Sequence, residues 1–327
     1  MTAAKLFSIV VFVSIACYGA VGYYFLPMAS FEGDLTRVGM LPESLFGWTK
    51  PQPAVAANLF QQASWEEADA LVIGDSFSAP GIWQSVLIRE GLRVHTETWS
   101  NLPAICDDFS QWTRGNGFKG RYVIIEIVER NTEGTLNNSI ACKNTRYHPV
   151  EWHPSPPATE PNRNLNNHAG RLSIGIQVYF NAWHYRQKRN GGNLNSLEMP
   201  GSVHVNHLAE GCKLFSHPKC DDVLFFDQDR RDELGKSVLN SMKTISSRIT
   251  DATPVWVIIP DKSTVYLHPD KIFWHEAELK LYAPNILDTF NHATKAHVID
   301  LYLANNTHLS TTGYLALGEI IYRNLPH

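Results

Sequence analysis

The chain has 327 residues, 44% of them hydrophobic and 18% charged, with a mean hydropathy of −0.20. This composition excludes wholesale disorder and a polytopic membrane protein, and the length allows one large domain plus an added element. Lys and Arg number 28 against 32 Asp and Glu, a formal charge of −4, so no strong basic field exists to hold nucleic acid.

Residues 6–30 carry no charge and contain the apolar run Leu6–Leu26, close to the roughly 20 residues that a bilayer-spanning helix needs. Lys5 and the α-amino group precede the run; Glu32 and Asp34 follow it. The positive-inside rule then puts the start in the cytoplasm and the remainder outside, with Tyr23 and Tyr24 at the far interface. The alternative is a cleaved signal peptide, but no small-x-small site follows the run. Residues 1–30 are therefore expected to be a membrane anchor. Cysteine usage agrees: Cys17 lies in the apolar run, and an even number, Cys106, Cys142, Cys212 and Cys220, lies beyond it. An exported compartment permits two disulfides. Three pairings are possible, and proximity in sequence favours Cys106–Cys142 with Cys212–Cys220. No C-x-x-C spacing supports zinc.

Residues 31–69, punctuated by Pro42, Pro51 and Pro53, read as a lead-in with a short helix over Val55–Glu67. Apolar runs then alternate with helical patterns. Strands are predicted at Ala70–Ile73, Arg93–Trp99, Tyr122–Val128, Val255–Ile259 and His297–Tyr302. Helices are predicted at Ile82–Glu90, Asp229–Ile249 and Thr311–Leu325, the last with Ser310 as N-cap. The alternation implies βαβ units around a mostly parallel sheet of about five strands in an α/β/α sandwich. Residues 132–227 interrupt it. This segment, rich in Asn, Pro, Gly and His, reads as an inserted β/loop subdomain with strands at Arg171–Phe180 and Ser202–Leu208.

The sharpest local feature is Gly74-Asp75-Ser76-Phe77-Ser78, directly after the first core strand and before a helix. A Ser at such a turn sits at the carboxyl edge of the sheet, where its hydroxyl can face substrate and backbone N–H groups can stabilise an oxyanion. The plain alternative is that Asp75 or Ser76 only caps a helix. A nucleophilic Ser needs a base, and His308, in Asn305-Asn306-Thr307-His308-Leu309-Ser310, precedes the last helix on the same edge. Glu126, inside an apolar strand, is costly to bury unless partnered, and either supports the active loop or forms a sheet-end ion pair with Arg130.

The early G-D-S-F-S and the late His-Leu-Ser resemble the SGNH (GDSL-type) hydrolase superfamily, and more narrowly its polysaccharide O-acetyltransferases of the alginate O-acetylation type. Weaker matches are Gly33-Asp34-Leu35-Thr36-Arg37, Phe46-Gly47-Trp48, Glu126-x-x-Glu129-Arg130-Asn131 and Pro260-Asp261-Lys262. The resemblance covers about 31–131 and 228–327, so 70–327 is expected to be the catalytic domain with 132–227 inserted. It implies Ser76 as nucleophile, His308 as general base, and Asn101, Arg130 or Asn131 as oxyanion or substrate contacts. Where the family places an acid before the His, this chain has Asn305 and Asn306, which can orient the imidazole but carry no charge; Asp261 is the other candidate. The function implied is O-acetyl transfer to an envelope or exported polysaccharide from the periplasmic side of a bacterial inner membrane. A membrane-bound partner would export the acetyl group. An acetylesterase and a silent glycan-binding scaffold are the alternatives.

No cofactor or metal is expected. His148/His153, His204/His207 and His268/His275 match no ligand motif. Trp83, Trp99, Trp112, Trp152, Trp183 and Tyr147 could stack on sugar rings or simply pack in a core.

Overall fold

A computed structural model describes residues 2–150, 154–161, 172–192 and 194–326. In chain order it begins with the apolar helix α1 (Ala3–Phe25) and two short helices, α2 (Asp34–Val38) and α3 (Glu43–Phe46). There follow β1 (Ala70–Gly74), α4 (Gln84–Arg89), β2 (Val94–Thr98), α5 (Phe109–Gly115), β3 (Tyr122–Val128) and α6 (Thr132–Ala141). The next stretch holds α7 (Leu172–Asn190), β4 (Ser196–Met199), β5 (Val203–His207) and β6 (Asp222–Phe226). The remainder is α8 (Lys236–Ser246), β7 (Thr253–Ile259), α9 (Lys262–Leu267), α10 (Phe273–Lys280), α11 (Ile286–Lys295) and α12 (Thr311–Arg323). These elements form two compact units. One comprises Met1–Pro51, Glu160–Asp227 and Leu303–Thr307; the other comprises Gln52–Thr159, Gln228–Tyr302 and His308–His327. The expected lead-in 31–69 is thus divided between them after Pro51.

The second unit is built on a four-stranded parallel sheet of order β2-β1-β3-β7. Every residue of β1 and β3 is buried, so the centre of the sheet is covered on both faces. That explains why these strands read as unbroken apolar runs rather than alternating ones. The strand order reverses at β1: the chain leaves it for β2 on one side and returns to β3 on the other. In open α/β sheets the crevice at the carboxyl ends of the strands beside such a reversal is where ligands bind. Ser310 caps α12 as predicted, its Oγ accepting the Gly313 N–H at 3.1 Å.

The fifth expected strand is absent. Of His297–Tyr302, only Tyr302 forms a bridge, an isolated antiparallel one with Leu309. His297 and Asp300 adopt positive φ, 58° and 54°, which turns the chain twice and prevents a continuous extended run. Val55–Glu67 yields a single 3-10 turn, Ala57–Phe60. The next residues bond to β2 instead: the Ala63 N–H donates to the Val94 carbonyl at 2.9 Å. The long helix expected over Asp229–Ile249 shortens to Lys236–Ser246, starting after Gly235.

In the first unit, β4, β5 and β6 form an antiparallel sheet in that order. The expected strand Ser202–Leu208 is β5. The expected strand Arg171–Phe180 is instead helix α7, with Arg171 outside the described residues. Its sequence alternates locally, but its buried positions, Gly175, Val178, Ala182 and Tyr185, recur every three or four residues. The insertion is therefore helix plus sheet, not strands and loops. α1 is long and apolar enough to cross a membrane, with a mean hydropathy of 2.0 over its best window.

Both disulfides pair as proximity in sequence favoured, Cys106–Cys142 and Cys212–Cys220, leaving Cys17 as the free thiol. Closing a 36-residue separation removes about 3–4 kcal/mol of unfolded-chain entropy in the loop-closure picture. Thiol titration in denaturant is expected to find one free thiol before reduction and five after it. The Cys106→Ala/Cys142→Ala double variant is expected to lower the melting temperature markedly; an unchanged melt would show that this loop needs no covalent closure.

Candidate functional site

The Gly74–Ser78 turn leaves the carboxyl end of β1 under tight constraint. A Cβ on Gly74 would lie 2.1 Å from Ser78 Oγ and 2.6 Å from Glu126 Oε2, so no larger residue fits there. Asp75 Oδ1 accepts the Phe77 N–H at 2.9 Å, closing an Asx turn, and its Oδ2 accepts the Val128 N–H at 2.9 Å. Glu126 Oε2 accepts both the Asp75 N–H at 3.0 Å and the Ser78 hydroxyl at 2.6 Å. Ser78 is fully buried and also receives the Trp83 indole N–H at 3.2 Å. Burial and the neighbouring Asp75 push the Glu126 carboxyl well above its ordinary range. Glu126 thus braces the turn and is not paired with Arg130.

The turn separates its two serines. Ser78 is locked inside, whereas Ser76 is exposed. The helix expected over Ile82–Glu90 runs from Gln84 to Arg89, so neither Asp75 nor Ser76 caps it; residues 75–79 form a turn, and Gly81 at φ 73° redirects the chain. Any backbone donor beside Ser76 therefore belongs to the turn, not to a helix end. Asp75, Phe77 and Ser78 have their N–H groups bonded, whereas among the described residues the Ser76 N–H has no partner.

His308 reaches this turn from the other end of the chain, with Nε2 2.8 Å from Ser76 Oγ. The Tyr302–Leu309 bridge and the Ser310 N–H on the Leu301 carbonyl, 3.1 Å, hold the loop just after it. The imidazole packs on the buried Phe77 ring, with centroids 4.6 Å apart. The geometry lets the Ser76 hydroxyl donate to the imidazole nitrogen, the arrangement from which a base removes the proton of a nucleophile.

Arg130 and Asp261 also meet, but with each other. Arg130 Nη1 lies 2.5 Å from Asp261 Oδ1 and 3.4 Å from Asp229 Oδ1. The other Asp261 oxygen accepts the Arg230 N–H at 2.9 Å. Asp261 is therefore bonded to Arg130, not to His308. The Arg130 guanidinium is also 6.0 Å from the centre of the Phe77 ring. Glu129 completes the network: it accepts the Asp261 N–H at 3.0 Å and the Thr264 hydroxyl at 2.6 Å, and it pairs with Lys271. Asp229 and Lys271 carried no signal in the sequence, and Glu129 only a weak motif match, because loops distant along the chain converge here.

The remaining candidates separate by what they bond. The Asn101 amide is engaged on Glu97, 2.8 Å. Asn131 is exposed, and among the described residues its carboxamide makes no hydrogen bond. In the first unit, Asn305 Nδ2 donates to Glu43 at 2.8 Å, and the Asn306 N–H to the Leu303 carbonyl at 3.3 Å. Asp34 of the Gly-Asp-Leu-Thr-Arg match accepts the Thr307 N–H at 2.8 Å. That motif thus fastens segment 303–307. His204 and His207 pair with Asp227 and Asp222. Trp83 and Trp99 donate their indole N–H groups to Ser78 and the Glu126 carbonyl, as core residues do. Trp112 and Tyr147 pack together, Trp183 is exposed, and Trp152 and His153 lie outside the described residues. Set against known proteins, the chain matches no family model, no curated protein and no solved structure.

Glu129, Asp229 and Asp261 crowd three carboxyls around Arg130 and Lys271. Burial, with the Asp261 charge adding to it, pushes Glu129 and Asp229 each up to about 7. Groups raised in this way bind protons on folding. Their contribution to stability is greatest below the ordinary carboxyl range, about 4, and is lost as pH rises to about 7. Glu129→Gln is expected to shrink the difference in urea midpoint between acidic and mildly alkaline buffer. An unchanged difference would place the proton elsewhere.

Proposed function

We propose that this chain is a membrane-anchored O-acyltransferase that carries an acetyl group on Ser76 and passes it to a polysaccharide hydroxyl. The observation that carries this reading is the 2.8 Å contact between Ser76 Oγ and His308 Nε2 at the carboxyl edge of a parallel sheet. His308 takes the Ser76 proton as Oγ attacks the acyl carbonyl. The resulting oxyanion is met by the Ser76 N–H and by Asn131. Collapse breaks the bond to the donor, and His308 returns the proton to the leaving group. An acceptor hydroxyl then gives its proton to His308, attacks acetyl-Ser76 and regenerates the serine. Asp261 serves this site through Arg130, which it holds near Phe77.

Placement outside a bacterial inner membrane is supported by the apolar helix at the N-terminus and by two disulfides. It separates the site from cytoplasmic acetyl-CoA, so a membrane partner must deliver the acetyl group. With the SGNH resemblance, the buried sheet also supports a three-layer sandwich. The exposure of Ser76 favours one second reading, hydrolysis of acetyl esters, because water reaches the acyl-enzyme as easily as a sugar does.

Intact mass after exposure to an activated acetyl ester is expected to show one acetyl adduct in the wild type and none in Ser76→Ala. Turnover by that variant should fall by on the order of 10³-fold or more. Adduct lost to added oligosaccharide marks a transferase, and adduct lost only to water marks an esterase. Wild-type turnover by Ser76→Ala would end the nucleophile assignment.

A further inference from the structure

Helix α7 carries two apolar stripes, and only one is used internally. Gly175, Val178, Ala182 and Tyr185 face inward. A second stripe, Ile176, Tyr179, Phe180 and Trp183, runs at i, i+3, i+4 and i+7 along another side of the helix. It remains open: Phe180 is 58% exposed and Trp183 52%. A single exposed apolar residue needs no explanation, but two large aromatics in one helical row mark an interaction surface.

The same unit indicates what covers it. α7 crosses α1 at the end of the apolar helix. A Cβ on Gly175 would lie 2.1 Å from the Phe25 carbonyl oxygen, so the glycine permits the two backbones to touch. The rings of Phe25 and Tyr179 meet at 4.8 Å. Trp183 lies one turn further on, about 6 Å along the helix axis. At the same end of α1, Tyr23 and Tyr24 are 75% and 77% exposed. Tyr and Trp, with apolar rings and a polar edge, concentrate where the hydrocarbon meets the headgroups. Beyond the stripe the helix turns cationic, with Arg186 and Lys188 exposed, as suits a segment beside phosphate headgroups.

We propose that the Tyr179–Phe180–Trp183 face of α7 is an interfacial lipid-binding surface, lying in the headgroup region of the membrane that α1 crosses. It acts as a second contact that sets the first unit flat against the bilayer instead of leaving it on a single helical stalk. Trp183 then meets lipid, not the glycan. This inference rests on reading α1 as a membrane-spanning helix.

The test uses the full chain reconstituted in phosphatidylcholine vesicles whose acyl chains carry bromine at shallow or deep positions. The emission difference between wild type and Trp183→Phe isolates Trp183 among the nine tryptophans. That component is expected to be quenched, more by shallow than by deep bromines. Phe180→Trp in the Trp183→Phe background is expected to restore a quenched component. Carbonate washing separates the two premises. A chain that stays with the vesicles while both tryptophans escape quenching overturns the lipid surface and leaves the anchor standing, with a protein partner or solvent on α7. A chain released by carbonate overturns the anchor and the inference together.

Discussion

A carboxyl group buried inside the central sheet organises the candidate site. Glu126 lies within β3, fully enclosed, and turns its side chain toward the exit of β1, where it takes the Asp75 N–H and the Ser78 hydroxyl. Burying a carboxyl among Val and Ile residues is costly unless its oxygens are bonded. The turn supplies two donors to Oε2, while Oε1 has no hydrogen-bond partner among the described residues, and the carboxyl in turn fixes the turn. Gly74 is required because any Cβ would strike this contact. With Ser78 held below and Asp75 tied to Val128, Ser76 is the hydroxyl left facing outward. The exposed serine is therefore a consequence of packing beneath it.

The neighbouring strand end solves a different electrostatic problem. Asp229 and Asp261 sit against Arg130, and Glu129 sits against Lys271, all away from bulk water. Each carboxyl removed from water needs a cation or a proton. A guanidinium held by two aspartates is fixed in place, and Arg130 is fixed near the ring of Phe77, on which His308 packs. Two networks, one built on a buried glutamate and one on a buried arginine, thus converge on one aromatic residue at the carboxyl edge of the sheet.

Much of this site was legible because its chemistry is local. The Gly-Asp-Ser turn followed an unmistakable apolar strand, and the cost of placing Glu126 in such a strand pointed to a partner. Its partner was not legible: Arg130 is near in sequence, but along a strand the two side chains stand too far apart, and Ser78 meets Glu126 through strand pairing instead. Asp261 was expected as a partner of His308, and the approach of β7 to β3 places it on Arg130 instead. The resemblance singled out Ser76 over Ser78, and burial now distinguishes the two physically.

The sequence by itself determined the four strands of the parallel sheet, the capped last helix, the apolar N-terminal helix and the pairing of neighbouring cysteines. Each follows from hydrophobic period, capping chemistry or short chain separation, which are properties of adjacent residues. The meeting of Ser76 and His308 across 232 residues was already expected from their places on one sheet edge, whereas only the tertiary structure decided that 297–302 turns instead of pairing and that 172–190 is a helix. Those outcomes depend on which surfaces the chain brings together: a short apolar run fits a strand or a helix equally well until its neighbours choose which face is buried.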